Sequence, residues 1–151
     1  MGGFAVEVRV PWSDVDLAGV VYFPRFFTYF ELAELEWVRA QGLGYEEFLR
    51  SLNVWLPRVA VHCNYRTPAR LDDRLSIQMK LLRLGRTSFT LGYGAYRLPD
   101  GEPVADGYTV IATVSRARFK PIAVPRALRE RLQALRARRP SSGTTRVTAK
   151  R

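Results

Sequence analysis

Alternating apolar and polar side chains predict that the chain begins with a half-buried strand. From residue 4 to residue 10, apolar residues occupy every even position, whereas Glu7 and Arg9 lie between them. A period of two residues places one row of side chains on each face of a strand. Similar patterns, separated by turn residues, predict four more strands, which short links should pair antiparallel. These strands are expected at residues 56–65, 75–81, 87–96 and 104–114.

A second spacing, with apolar residues every three or four positions, predicts helices. The longest begins at Pro24, contains no glycine or further proline, and stops at Gln41 before Gly42. Proline suits the first helical position because its missing N–H is not needed there, and glycine suits the left-handed residue after a helix end. Apolar side chains cover most of this helix, so neighbours must cover several of its sides. A short helix is expected at residues 45–52 and a terminal one from Pro125 to near Arg136.

The order strand, long helix, short helix, four strands and helix predicts an α+β fold. An antiparallel sheet buries an apolar helix most completely by curling around it. The outer face and the edges of such a sheet usually end in subunit contacts, so we expect a homo-oligomer, either a dimer or a dimer of dimers.

Length and charge divide the chain into a domain and a tail. The 151 residues suffice for one domain. The net charge is +10, and residues 136–151 contain six basic residues and no acidic residue, so most of the excess positive charge lies there. We expect a folded domain at residues 1–135 and a disordered, solubilising tail at residues 136–151. No helix-turn-helix, zinc-finger or aromatic RNA-binding motif accompanies the basic tail, so nucleic acid is not an expected partner.

Cysteine and histidine usage restricts the chemistry. The chain has one cysteine, Cys63, and one histidine, His62, so we expect no internal disulfide, no metal centre and no histidine-based triad. We expect His62 to be packed or hydrogen-bonded and Cys63 to be a small buried apolar side chain. Neither a signal sequence nor an apolar run of about 18 residues is present, which predicts a cytoplasmic protein without membrane contact.

Candidate catalytic groups coincide in the loop before the long helix. Asp14 and Asp16 are two carboxylates, Gly19 allows close backbone approach, and the amide of Phe23 lies just before the helix start at Pro24. An aspartate with its usual pKa of about 3.9 is ionised at neutral pH and serves as a base or a nucleophile. Helix-start amides suit a developing oxyanion. Spacing alone favours the simpler interpretation that both aspartates stabilise a turn through hydrogen bonds to backbone N–H groups.

Residues 13–27, SDVDLAGVVYFPRFF, followed by Glu31, resemble the signature of hot-dog-fold acyl-CoA thioesterases of the 4-hydroxybenzoyl-CoA thioesterase group. The resemblance extends in order and spacing over about residues 4–135. It includes the segments 59–65 (VAVHCNY), 68–73 (PARLDD) and 84–89 (LGRTSF). The resemblance implies a hot-dog fold, in which an antiparallel sheet wraps around a long central helix, and an active site at a subunit interface.

The resemblance also implies roles for individual residues. Asp16 matches the catalytic carboxylate, and Phe23 matches the residue whose backbone N–H faces the thioester carbonyl. The implied reaction is hydrolysis of an acyl-CoA to a carboxylic acid and CoA, with Asp16 as nucleophile or as general base. Coenzyme A belongs to the substrate, so no separate cofactor is expected. Substrate-binding positions implied by the family are Gly19, Val20, Tyr22, Arg83, Arg86 and Ser88, of which the last three would meet the CoA phosphates.

The acyl group is indicated only by aromatic residues. Members associated with the Tol-Pal system carry histidine at the position of Phe23, so the aromatic residue here favours an aryl substrate such as 4-hydroxybenzoyl-CoA. Aromatic candidates for an aryl pocket, or for plain core, are Trp12, Tyr22, Phe26, Trp55 and Tyr65. Glu31 is expected to be structural or interfacial rather than catalytic. Alternatives are a thioesterase for carrier-protein or short aliphatic substrates, and a non-catalytic acyl-CoA-binding module.

Overall fold

The computed structural model describes residues 3–137 and 145–147. In chain order its elements are β1 (Phe4–Arg9), a 3-10 turn (Trp12–Asp14), α1 (Arg25–Arg39), α2 (Tyr45–Leu52), β2 (Val54–Trp55), β3 (Arg58–Tyr65), β4 (Arg74–Leu84), β5 (Ser88–Arg97), β6 (Glu102–Ala112), β7 (Val114–Ser115), α3 (Arg126–Ala137) and β8 (Thr145–Val147). The predicted helices and main strands are confirmed, with ends shifted by up to three residues.

The main sheet has the strand order β3-β6-β5-β4-β1-β8, and its first five strands pair antiparallel. Helix α1 contacts β1 and β4. Its Phe30 stacks on Tyr93 of β5 at 4.7 Å between ring centroids, and its Glu34 pairs with Arg58 of β3. Contacts from β1 to the far edge at β3 require the sheet to curl around α1, which confirms the predicted α+β architecture.

One predicted pairing is wrong, because β3 does not pair with the next strand, β4. It crosses to the opposite edge of the sheet and pairs with β6, in the register Val61 to Thr109. The link at residues 66–73 does not form a hairpin. Instead, its Ala69 carbonyl accepts a hydrogen bond from Val21 N–H at 2.8 Å, so the link supports the loop before α1.

Residues 145–147 form a strand inside the tail that was expected to be disordered. Strand β8 pairs parallel with β1, with Thr145 opposite Val6 and Val147 opposite Val8. The backbone groups on that side of β1 face away from β4 and are open to pairing. The rest of the predicted disordered tail, residues 138–144 and 148–151, lies outside the described residues, and the expected domain boundary stays a prediction.

Apolar side chains of α1, α3 and one face of the sheet form the core. Tyr29, Phe30, Leu75, Ile77 and Leu132 are almost fully buried. The opposite face of the sheet and the free edge of β3 are more exposed, and Val59 and Val61 on that edge are 61% and 53% exposed. In the described part of the chain, no helix is long and apolar enough to cross a membrane.

Candidate active site

The loop between β1 and α1 is a small hairpin tied to the helix at its base by Asp14. The Asp14 side chain is buried, and its Oδ2 accepts a hydrogen bond from the Tyr29 hydroxyl at 2.8 Å. Arg25 Nε lies 3.5 Å from its Oδ1. Burial, together with the bond to Asp14, raises the pKa of Tyr29, so this hydroxyl stays a donor. Asp14 is therefore the structural aspartate of the pair.

Asp16 occupies the exposed tip of the same hairpin. Its Oδ1 accepts a hydrogen bond from Ala18 N–H at 2.8 Å, and its backbone pairs with Val20 and Gly19. Gly19 has φ +77°, a left-handed conformation that glycine adopts without strain. Within the described residues, Asp16 Oδ2 has no hydrogen-bond partner. The aspartate thus stabilises the turn with one oxygen and leaves the other open to a substrate or a water molecule.

The backbone amide of Phe23 lies at the other end of this loop, two residues before α1. In the part of the chain that the structure describes, no protein group accepts a hydrogen bond from this N–H. Phe23 as a whole is 59% exposed, so the residue lies at the surface of the protein. The amino end of α1 adds positive partial charge nearby. An unpaired amide at a helix start is suited to stabilise an oxyanion.

Three aromatic rings surround this helix start. Phe23 packs edge-on against Tyr22 at 5.2 Å and against Tyr65 at 6.4 Å between centroids. Phe26 packs against Tyr65 at 5.7 Å but is itself buried. Trp12, a further candidate for an aryl pocket, lies in the 3-10 turn and is 80% exposed. Tyr22, Phe23 and Tyr65 therefore form the exposed aromatic surface near the candidate oxyanion donor.

Trp55 does not belong to this aromatic surface. It pairs with β7 beyond the Arg58 end of β3, whereas Tyr65 is at the other end of that strand. The Arg116 guanidinium lies 3.9 Å above the Trp55 ring. Within one protomer, Trp55 therefore lies apart from the other candidates for an aryl pocket.

The predicted phosphate-binding residues Arg83, Arg86 and Ser88 lie around the turn from β4 to β5. Strand β4 begins beside the Asp16 hairpin, since Val10 N–H donates to Asp73 O at 2.9 Å. Its 11 residues then extend for about 30 Å to the β4–β5 turn. One protomer therefore does not bring these residues and Asp16 together.

The contacts of α3 show the same separation along α1. Arg129 donates to the Gly85 carbonyl at 2.7 Å, and Arg131 donates to Gln41, which follows the carboxyl end of α1. The Asp16 hairpin is tied to the amino end of that helix. A 15-residue helix is about 22 Å long, so the two predicted halves of the site lie at opposite ends of the protomer.

The remaining candidates have structural surroundings. Glu31 is exposed on α1. His62 is hydrogen-bonded as expected, with Nε2 2.9 Å from Asn64 Oδ1, and its exposed ring stacks on Tyr108. Cys63 is only half-buried, contrary to expectation, because β3 is an edge strand; this partial burial raises the pKa of its thiol.

Sequence reasoning missed a buried carboxylate, Glu34 of α1. It is 6% exposed, and its Oε1 lies 2.6 Å from Arg58 Nη2. The Tyr93 hydroxyl lies 3.4 Å from its Oε2. Burial raises the pKa of Glu34, and Arg58 opposes that shift. Helical spacing from Phe30 and Trp37 was the available signal, because it places residue 34 near the buried face. No cluster of metal-binding side chains occurs among residues 3–137 and 145–147.

Comparison with known proteins identifies the family. The profile of the thioesterase-like superfamily matches residues 10–132. The acyl-CoA thioesterase YbgC of Haemophilus influenzae is 27% identical over 128 residues, covering 84% of this chain and 92% of that protein. The 1,4-dihydroxy-2-naphthoyl-CoA hydrolase of Synechococcus elongatus is 28% identical over 135 residues, covering 88% and 97%. The chain therefore belongs to the thioesterase-like superfamily.

Solved structures show the same fold. A 1,4-dihydroxy-2-naphthoyl-CoA thioesterase from Synechocystis superposes with a TM-score of 0.81 at 23% identity, covering 89% of this chain and 98% of its own. A mutant 4-hydroxybenzoyl CoA thioesterase complexed with 4-hydroxybenzoyl CoA gives 0.77 at 20% identity, covering 87% and 99%. These structures confirm the expected hot-dog fold, and the family match together with the two relatives above confirms the enzyme class, a thioester hydrolase.

Proposed function

We propose that this protein is an acyl-CoA thioesterase that releases a carboxylic acid and CoA. The observation that carries the proposal is the pairing, in one loop, of an exposed carboxylate oxygen on Asp16 with an unpaired amide at Phe23. Relatives named as an acyl-CoA thioesterase and as a 1,4-dihydroxy-2-naphthoyl-CoA hydrolase support this substrate class.

The two groups supply complementary steps of thioester hydrolysis. In one route Asp16 attacks the thioester carbonyl, the C–S bond breaks to release CoA thiolate, and water then hydrolyses the resulting mixed anhydride. In the other route Asp16 takes a proton from a water molecule that attacks the carbonyl, and the C–S bond then breaks to release CoA. In both routes, negative charge develops on the carbonyl oxygen. The Phe23 N–H stabilises that charge, and one such donor lowers the barrier by about 2.7 to 4 kcal/mol. Gly19, Val20 and Tyr22, which lie in the same loop, are the residues that we propose contact the substrate beside these groups.

An aryl acyl group, such as 4-hydroxybenzoyl or a related aromatic acid, suits the exposed rings at the helix start. Tyr22 and Phe23 are 47% and 59% exposed, and Tyr65 is 49% exposed. Aromatic rings prefer edge-on or offset contacts with other rings, which these side chains can offer. The carrier-protein and short-chain alternatives make no use of this surface, so the aryl substrate is the better proposal.

The active enzyme requires at least two protomers. The β4–β5 turn of a second protomer would bring Arg83, Arg86 and Ser88 to the CoA phosphates, since those of the same protomer lie too far from Asp16. The open edge of β3, with exposed Val59 and Val61, offers the surface for strand pairing between two copies.

A tetramer follows if two such dimers join through the outer face of the sheet. That face contains a groove of about 560 Å³ lined by residues including Leu82, Gly92 and Gly94. The absence of a cofactor and the cytoplasmic location expected from the sequence stay predictions.

The proposal is tested by following thiol release from a panel of CoA thioesters. The panel contains 4-hydroxybenzoyl, benzoyl, phenylacetyl, naphthoyl and C2 to C16 aliphatic acyl groups, each also offered on acyl carrier protein. We expect rapid hydrolysis of an aryl-CoA. Faster hydrolysis of carrier-protein or short aliphatic thioesters would favour those alternatives, and binding without hydrolysis would favour a non-catalytic module.

A further inference from the structure

Three hydrogen bonds fix the backbone around the candidate oxyanion donor. Tyr22 N–H donates to the Asp14 carbonyl at 2.8 Å, and Arg25 N–H donates to the Tyr22 carbonyl at 2.8 Å. The Tyr65 hydroxyl donates to the Phe23 carbonyl at 2.9 Å. Among the described residues, the Phe23 N–H between these groups is left without an acceptor.

We propose that Tyr65 is a positioning residue for thioester hydrolysis, because its hydroxyl holds the backbone of Phe23 so that the amide faces the substrate carbonyl. This inference rests on the proposed thioesterase function. Tyr65 itself need not touch the reacting atoms, since it acts through Phe23.

The first turn of α1 does not hold this carbonyl. Helix α1 begins at Arg25, no side chain caps its start, and Phe27 N–H donates to the Pro24 carbonyl at 3.1 Å. The Phe23 carbonyl is therefore held by the Tyr65 hydroxyl from outside the helix. Without this bond, the Phe23–Pro24 peptide loses the hydrogen bond to its carbonyl, while the Tyr22 carbonyl keeps its bond from Arg25 N–H.

Tyr65 is well placed to act as a rigid anchor. It belongs to β3 and lies opposite Ala105 of β6, so its backbone is part of the sheet. Its ring packs edge-on against Phe23 and Phe26. Partial burial raises the pKa of Tyr65 to about 12, so its hydroxyl remains a donor at neutral pH. Oxyanion donors contribute most when they are fixed before the reaction begins.

The test compares Tyr65→Phe with the matched control Tyr108→Phe. Both changes remove one oxygen from a partly exposed tyrosine, and Tyr108 lies on the outer face of the sheet, stacked on His62. For Tyr65→Phe we expect kcat on the preferred acyl-CoA to fall about tenfold, below the roughly hundredfold loss that a 1 Å misplacement can cause. KM, the melting temperature and the midpoints of the pH–rate profile should stay at their wild-type values, because Asp16 is untouched. Tyr108→Phe should keep the wild-type kcat.

Several outcomes would overturn this role. Wild-type kcat in Tyr65→Phe, beside a strong loss in Asp16→Asn, would refute the positioning role and leave the thioesterase function standing. A change in KM alone would make the Tyr65 hydroxyl a substrate contact instead of a positioning group. An equal loss in Tyr108→Phe would show a general effect of removing a hydroxyl. A wild-type protein that hydrolyses no thioester would overturn both proposals.

Discussion

The buried ion pair between Glu34 of α1 and Arg58 of β3 allows a quantitative test of the fold. Arg58→Met keeps an unbranched apolar side chain but leaves the Glu34 carboxylate with only the Tyr93 hydroxyl, 3.4 Å away. Removing one partner of a fully buried pair costs about 3 to 5 kcal/mol. The Arg58 side chain is 32% exposed, so water offsets part of this cost. We therefore expect a loss of about 2 to 3 kcal/mol in unfolding free energy at neutral pH.

The loss should depend on pH in a defined direction. Burial already raises the pKa of Glu34 in the folded protein, and removal of Arg58 raises it further. A carboxyl with a raised folded pKa is neutral in both states at low pH, so it carries no penalty there. As the pH rises above the ordinary glutamate value of about 4.3, the unfolded state ionises first and the folded state loses relative stability. The difference between wild type and Arg58→Met should therefore grow as the pH rises.

Urea unfolding at acid and neutral pH, at one fixed protomer concentration, measures both quantities. The matched control is Arg50→Met, which breaks the exposed Glu46–Arg50 pair on α2 at 2.7 Å. This pair should contribute no more than about 0.5 kcal/mol. Adding Glu34→Gln to Arg58→Met should recover most of the unfolding free energy lost in Arg58→Met and remove the pH dependence that the Glu34 carboxyl causes. A destabilisation in Arg58→Met that is independent of pH and no larger than in Arg50→Met would refute the reasoning.

Two further predictions concern the candidate active site. Tyr29→Phe should lower the unfolding free energy by about 1 to 3 kcal/mol, because the buried Asp14 carboxylate loses its closest hydrogen-bond donor. Thermal unfolding measures this loss, and an unchanged melting temperature would contradict the prediction. Asp16→Asn protomers mixed in equal amounts with Arg83→Met/Arg86→Met protomers should recover about a quarter of wild-type activity at low substrate concentration. Half of the random dimers contain one protomer of each kind, and in these one of the two sites combines an intact Asp16 with intact Arg83 and Arg86. No recovery after proven subunit exchange would refute a site shared between protomers.

Most helices and strands could be predicted from the sequence because the spacing of apolar residues within a segment determines which of its faces is buried. The alternation in β4 and the three-to-four spacing in α1 each reflect one buried face. The pairing of β3 with β6 could not be predicted this way, since the residue pattern of 58–65 does not determine which strand pairs with this segment. Strand β8 was missed for a similar reason. It is three residues long, and its pairing depends on the open edge of β1, not on its own composition.

The candidate active site was predictable as a loop but not as an arrangement. Spacing did not distinguish Asp14 from Asp16, and only the family resemblance singled out Asp16; the burial of Asp14 depends on its bond from Tyr29, 15 residues away. Glu34 was overlooked because its partner, Arg58, is 24 residues distant. The separation of Arg86 from Asp16 likewise depends on the length and direction of β4. These relations are set by tertiary packing, which a spacing pattern does not contain.

The most direct test of the account compares the turnover of wild type and Asp16→Asn on the acyl-CoA that the wild type hydrolyses fastest. Asparagine keeps the oxygen that accepts the Ala18 N–H bond, so the hairpin should persist. Asp100→Asn, a change in the exposed β5–β6 turn, is the control. We predict that kcat falls by about 10² to 10⁴ in Asp16→Asn, with the melting temperature and oligomeric state unchanged, and stays at the wild-type value in Asp100→Asn. A wild-type kcat in Asp16→Asn would contradict the account.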